Sequence, residues 1–438
     1  SASVTILWGN AGTGSIKVKE TNTAGCVTET TASTITVNAL PTPSVTGNAS
    51  ACTGVSQTYS TASVAGNSYS WSVKLNGNPI TFTQTNNSIT VTYTTSGTGE
   101  VSVTETNGTT GCSKQSASVF TVVTTMPTPG ISGVTSTCAG STRTYSTANV
   151  AGNSYTWTVV PSGTQFTGQG TNSIVVTWGT ASGSVQVTER AGGNSNCTVT
   201  TAAYPVTVNA LPTPGITGAA SACVSTTATT AYTVTTPTTG STYTWQVAGG
   251  VISGASTGTS VNVIWNTVGG QTLRVTETTS ANCTGFVDKT VQVNPVLIPT
   301  TTGSTVVCAG DTKQYSITNV HTGSTYLWTV TGGSISGSNS STAVTVVWNG
   351  AGTGVVSVAE TSTGCVGTST PMNVTINALP TPSVTSSTGG LATVGVCAGS
   401  THTYSTQNNI GSTYLWTITG GTATNGLTGA SVTILWGN

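Results

Sequence analysis

The sequence predicts an all-β chain laid out as a tandem array of β-sandwich modules of about 85 residues each. Three observations carry that prediction. Of 438 residues, about 100 are threonine and 54 are glycine, so the chain is rich in a β-branched strand former and in turn residues. Cysteine, tryptophan and glutamate recur at a fixed period, the signature of a repeated structural unit. Between these markers lie short runs of alternating apolar and polar residues, separated by Gly, Asn and Ser clusters.

The period is read most directly from cysteine. One set, Cys52, Cys138, Cys223, Cys308 and Cys397, recurs at spacings of 86, 85, 85 and 89 residues. A second set, Cys26, Cys112, Cys197, Cys283 and Cys365, recurs at 86, 85, 86 and 82. Each module has a tryptophan in an S-Y-x-W or T-Y-x-W setting: Trp71, Trp157, Trp245, Trp328 and Trp416. A second aromatic follows about twenty residues later, at Trp8, Tyr93, Trp178, Trp265, Trp348 and Trp436. A V-x-E stands near each second cysteine and supplies Glu20, Glu105, Glu189, Glu277 and Glu360. Proline signals such as Leu40-Pro41-Thr42-Pro43 and Leu211-Pro212-Thr213-Pro214 separate the units, because X-Pro holds both residues extended. These marks divide the chain into whole modules at 41–126, 127–211, 212–298 and 299–379. Residues 1–40 are the C-terminal part of a truncated module, and 380–438 the N-terminal part of another.

Within 41–126 the alternation predicts strands at Ser44–Gly47, Gln57–Thr61, Ser68–Val73, Ser88–Tyr93, Glu100–Glu105 and Ser116–Val123. About seven strands in 85 residues suit a two-sheet sandwich, with the Trp71 strand central and its indole in the core. A β-solenoid is the rival architecture, but its coils repeat over far fewer residues. The nonapeptide ASVTILWGN stands at 2–10 and again at 430–438, an offset of 428 that holds five periods. The expectation is an excerpt of a longer repetitive chain, with the tail of one copy completed by the head of the next, by continuous chain or by strand complementation.

The run of P-x-P, V-C-A-G-S/D-T, T-Y-x-W, V-x-V-x-E-T and G-C resembles the immunoglobulin-like and PKD-like tandem repeats of very large secreted Bacteroidota surface proteins. Val307-Cys308-Ala309-Gly310-Asp311-Thr312 and Val103-Thr104-Glu105-Thr106 through Gly111-Cys112 carry the resemblance best. The W-D-F-G-D-G context of many PKD repeats is absent. The resemblance implies immunoglobulin-like sandwiches, an extracellular or cell-surface location, and service as an adhesin, filament or stalk.

Ten cysteines with no C-x-x-C and only two histidines point to disulfides in an oxidising compartment rather than to zinc. In an immunoglobulin-like strand order the early cysteine lies at one pole and the late one at the other. Strands of about ten residues span roughly 33 Å, whereas bridged Cα atoms lie about 4.4–6.8 Å apart. Pairing across a junction, Cys52 with Cys197, Cys138 with Cys283 and Cys223 with Cys365, satisfies that distance. Pairing within a module, such as Cys52 with Cys112, stays open as the simpler repeating unit.

Charge narrows the function classes. Nine basic and nine acidic residues, 4% of the chain, give no net charge and no basic patch for nucleic acid. Nothing approaches the apolar length of a membrane span. His321 and His402 occupy unlike loops and are expected as solvated turn residues, and no nucleophile, base and orienting group recur together. Asp288 and Asp311 are the only aspartates, too few for calcium-linked junctions. Lys17, Lys19, Lys74, Lys114, Lys289 and Lys313 share no phase, which argues against isopeptide cross-links. The reading is a non-enzymatic extracellular fibre, filament or stalk without cofactor or metal, whose partners are copies of itself, end to end and side by side. The alternative is an adhesin array binding glycans or other cells, for which the second aromatics would have to be an exposed row stacking on sugar rings.

Overall fold

The computed structural model describes residues 2–194, 196–387 and 395–437. Every regular element among them is a β-strand. The module at 299–379 shows the full set: β1 (Thr301–Thr302), β2 (Val306–Cys308), β3 (Thr312–Ile317), β4 (Thr325–Thr331), β5 (Gly333–Ser336), β6 (Ala343–Trp348), β7 (Gly352–Ser362), β8 (Cys365–Thr368) and β9 (Met372–Asn377). One sheet runs β1-β3-β6-β5 and the other β2-β9-β7-β4, with β8 added to the far half of β7. All pairs are antiparallel except β2 with β9, where Cys308 stands opposite Asn377 in a parallel register. The opening segment thus divides between two sheets, β1 in one and β2 in the other, which makes an immunoglobulin-like sandwich.

Strand formation follows the alternation. In β4 the side chains run exposed and buried in turn, with Tyr326 and Trp328 inward and threonines outward. The same pattern in Ser68–Leu75, Ser154–Val160 and Thr242–Ala248 places Trp71, Trp157 and Trp245 in their own interiors. Four separate apolar clusters result, one per whole module, and no coil joins them. That separation of interiors rules out the solenoid.

The core is organised by its aromatics. Trp157, Trp245 and Trp328 each donate their indole N–H to a main-chain carbonyl at 2.8–2.9 Å, from Thr171, Gly258 and Ser341 of the facing sheet's loop. In the whole modules the second aromatics are among the largest fully buried side chains: Tyr93, Trp178, Trp265 and Trp348 are at most 1% exposed. Trp348 meets Tyr315 edge to face at 5.9 Å, and Trp178 and Trp265 meet Tyr145 and Tyr232 in the same way at 6.1 Å. The indole of Trp348 lies flat on β7 at Gly354, where a Cβ would overlap the ring. Enclosure pushes the hydroxyls of Tyr145, Tyr232 and Tyr315 above the ordinary tyrosine range.

Two strand assignments differ from the expectation. Ser44–Gly47 is not a strand: only Thr46 bridges Ser60, because the first segment makes its longer pairing later, at Ser50–Cys52 with Val119–Thr124. The expected last strand Ser116–Val123 starts later, at Val119–Thr124, and Ser113–Gln115 before it is a separate strand; the two pair with opposite halves of Gly97–Thr106.

Replacing Trp328 with alanine removes the largest inward side chain of β4. The expected cost is about 3–5 kcal/mol, read by hydrogen exchange as lost amide protection across 301–377, with the protection of 50–124 unchanged.

Candidate functional site

The features that recur in every module gather at the two poles of the sandwich, where neighbours meet. At one pole the early cysteine ends the short parallel strand and opens a tight turn. In the turn Cys308-Ala309-Gly310-Asp311, the Asp311 N–H donates to the Cys308 carbonyl at 3.0 Å, and Gly310 takes a φ of +85°. The Asp311 carboxylate accepts the Cys308 N–H at 3.0 Å, and this bond is the main reason its carboxyl sits below the usual range, with Lys313 adding to it. The Gly310 N–H donates to the Trp348 carbonyl at 2.8 Å, as Gly54 and Gly140 do to Tyr93 and Trp178, so the turn is fixed to the end of the aromatic strand.

At the other pole the late cysteine lies in the hairpin after the long strand. Cys365 opens β8, and Cys197 and Cys283 immediately precede Thr198–Thr200 and Thr284–Asn294. The structure joins three of the early cysteines to the late cysteine of the following module: Cys52 to Cys197, Cys138 to Cys283 and Cys223 to Cys365, with Cα–Cα distances of 5.5, 5.5 and 5.6 Å. The late partners are sealed, at no more than 1% exposure. At the first junction Cys52, Cys197 and Ala191 form a small core of their own, covered by Met126. Asn194 reaches across and donates its side-chain amide to the Ala51 carbonyl at 3.2 Å, and the Met126 N–H donates to Thr53 Oγ1 at 2.9 Å. Gly285 and Gly367 stand two residues beyond their cysteines, and a Cβ on either would strike the carbonyl of Pro212 or Leu297 in the linker. Cys26, Cys308 and Cys397 are free and exposed, and Cys112 is free and half-buried.

Beside each junction lies the module-periodic glutamate, and it is buried: Glu105, Glu189, Glu277 and Glu360 are between 0 and 4% exposed. In the modules of Glu105, Glu277 and Glu360 it is held by the tyrosine two residues before the core tryptophan. Tyr243 and Tyr326 donate their hydroxyls to Glu277 and Glu360 at 3.1 and 3.3 Å. The same hydroxyls accept loop N–H groups, from Thr238 at 2.8 Å and His321 at 2.9 Å. Asn67 and Asn153 donate to Glu105 and Glu189 at 2.6 Å, and in the last whole module His321 takes that place, with Nδ1 2.9 Å from Glu360. His321 is therefore part of this clamp rather than a solvated turn residue. His402 contacts Ser400 at 3.1 Å. The sequence signal for this clamp is the tyrosine inside the Y-x-W motif itself.

Chemically, the arrangement spends its recurring polar groups on holding loops and poles in place. In the whole modules the indoles that a sugar-stacking row would require, Trp178, Trp265 and Trp348, are enclosed in the cores, whereas Trp8 is exposed. Trp416 belongs to the incomplete module and is only partly covered, with its N–H donated to Gly429 at 2.9 Å.

A family profile described as PKD-like domain matches residues 38–122, 124–208, 209–293 and 294–376, most of the chain. The chain belongs to that PKD-like family. Among solved structures, it is similar to an ICAM-5 D1–D4 ectodomain fragment, at 10% identity and a TM-score of 0.31, over 77% of this chain and 99% of that one. Invasin, a bacterial integrin-binding protein, aligns at 16% identity and a TM-score of 0.26, over 79% of this chain and 82% of its own. The human desmocollin-1 ectodomain aligns at 9% identity and 0.20, over 91% and 93%. No curated protein sequence matches. Tandem PKD-like sandwiches joined by cystines resemble extracellular domains, and none of the described residues forms a helix long and apolar enough to cross a membrane.

Two measurements test the site. Non-reducing digestion should yield Cys52–Cys197, Cys138–Cys283 and Cys223–Cys365 peptides; a Cys52–Cys112 peptide would contradict the junction bond. Changing Glu277 to alanine leaves the Tyr243 hydroxyl without its buried acceptor, at a cost of about 1–3 kcal/mol in chemical denaturation.

Proposed function

We propose that the chain is a non-enzymatic structural protein, a stiff extracellular fibre or stalk in which PKD-like sandwiches are stapled in series. The observation that carries this reading is the cystine that crosses each junction between whole modules. A linker alone is a hinge; a linker plus a second covalent tie a strand's length from the far pole removes most bending freedom. The loops so closed hold 142–145 residues, for which the chain-entropy estimate of stabilisation is roughly 5 kcal/mol each. Such bonds persist in an oxidising compartment, which supports an extracellular location. Near-zero net charge and threonine-rich outer faces favour association of such rods with copies of themselves, end to end and side by side. The adhesin alternative loses its main support with the enclosure of Trp178, Trp265 and Trp348.

Electron microscopy of the oxidised chain should show a straight rod with an axial repeat of ~40 Å per module, from strand length plus linker. Reduction should lower the radius of gyration in small-angle scattering as the junctions loosen. A rod equally flexible before and after reduction, or saturable binding on a glycan array, would favour the adhesin.

A further inference from the structure

The periodic glutamates are buried acids with almost no counter-charge. Among the described residues five ion pairs form, and none of them includes Glu105, Glu189 or Glu277. Glu189 is held by a neutral donor: Oε1 accepts the Asn153 side-chain amide at 2.6 Å, while Asn153 Oδ1 accepts the Gly192 N–H at 3.0 Å. Neutral donors make the burial of a carboxylate tolerable, and a cationic donor would stabilise it further. A carboxylate accepts about four hydrogen bonds, so Glu189 has room for one.

That room opens on a cleft. Between the first two whole modules lies a cavity of about 420 Å³, with Glu189 and Asn153 at its base and Met126, Pro127, Val150 and Ala191 among its walls. The base is firm, because Gly192 packs so closely on the BC loop that a Cβ there would strike the Gly152 carbonyl. The walls are firm as well, since Met126 and Ala191 belong to the small core around the Cys52–Cys197 bond. A second cleft of the same make, about 320 Å³, lies beside Glu105, with Asn67 at its base and Pro41, Pro43 and Val64 along it.

The last whole module shows what that space accepts. Val64, Val150 and His321 stand at one position, each donating its main-chain N–H to the tyrosine hydroxyl five residues on, at 2.8, 2.8 and 2.9 Å. From there the His321 side chain brings Nδ1 to 2.9 Å from Glu360. Valine at the same place leaves the carboxylate facing an open cleft.

We propose that the clefts at Glu189 and Glu105 bind the ammonium end of an unbranched aliphatic amine. The ammonium supplies the nitrogen donor that His321 supplies to Glu360, and the methylenes lie along the valine and proline walls. A guanidinium fits less well, because its two-pronged bond needs both carboxylate oxygens and Asn153 already holds one. A metal ion fits less well again, since calcium takes 6–8 oxygen ligands and no group of three acidic, histidine or cysteine side chains gathers among the described residues. The amine comes either from a free diamine or from a lysine side chain, which share this chemistry. The inference goes beyond the fibre reading and does not depend on it.

The test follows amide resonances of the full oxidised chain by NMR during titration with cadaverine. The expected result is saturable shifts at Asn153 and Gly192 and at Asn67 and Asn107, the residues of the two clefts. Val150→His, at a side chain 48% exposed and so harmless to the fold, should weaken binding at Glu189 at least tenfold and spare the Glu105 cleft. Val64→His should do the converse, and Glu189→Gln should act as Val150→His does. A capped lysine tripeptide that binds as tightly as cadaverine assigns the lysine side chain as the source; cadaverine binding alone assigns a free amine. No saturation up to about 10 mM, equal shifts with diacetylated cadaverine, or shifts that survive both histidine variants overturns the proposal.

Discussion

The whole arrangement depends on a distance: the two poles of a sandwich lie a strand's length apart, far beyond the reach of a disulfide. A cysteine placed at each pole can therefore bridge only to a neighbouring module. Once Cys52 and Cys197 are joined, the rotation between modules is limited, and other contacts become specific to that pose. Asn194 finds the Ala51 carbonyl, Met126 covers the sulfurs, and the linker passes so close to Gly285 and Gly367 that no side chain fits there.

Within each module an equally simple constraint works on a smaller scale. A sandwich of small residues needs a few large ones to fill the space between its sheets. Two aromatics per module do this, one from each sheet, with the second lying on bare backbone and edge to face against a tyrosine. The first brings its neighbouring tyrosine to the buried glutamate, so a single Y-x-W motif serves the interior and the pole. Burial of that carboxylate is tolerated because tyrosine and asparagine, or tyrosine and histidine, bond to it.

Much of this is written plainly in the sequence. The period, the all-β class and the inward tryptophans follow from spacing and alternation, which local sterics translate directly into strands. Other features depend on information that a linear pattern does not hold. The short run Ser44–Gly47 alternates as a strand would, yet the segment divides between two sheets, and only the fold shows which part has a partner. Cysteine pairing was open until strand order placed the two sets at opposite poles. Exposure of Trp178 and Trp265 was likewise undecided, because an aromatic at the end of a strand can turn toward water or inward. His321 read as a loop residue because it stands five residues before Tyr326, where the other modules have Val64, Val150 and Thr238, while Asn67 and Asn153 reach their glutamates from two residues before the tyrosine, so no shared position marks the role.

The staggered cystines also change how the linked modules bear load. A pulling force entering at Cys52 crosses to Cys197, follows 26 residues of chain to Cys223 and crosses again to Cys365. That covalent shortcut, drawn taut at about 3.5 Å per residue, spans roughly 95 Å including the bridge, against ~80 Å for two folded modules. The interiors of the sandwiches are bypassed, so tension stretches the oxidised chain between Cys52 and Cys365 by only about a fifth before the covalent path itself resists. Between those cysteines the linked modules resist extension as a cable of nearly fixed length does, rather than as a spring of unravelling domains.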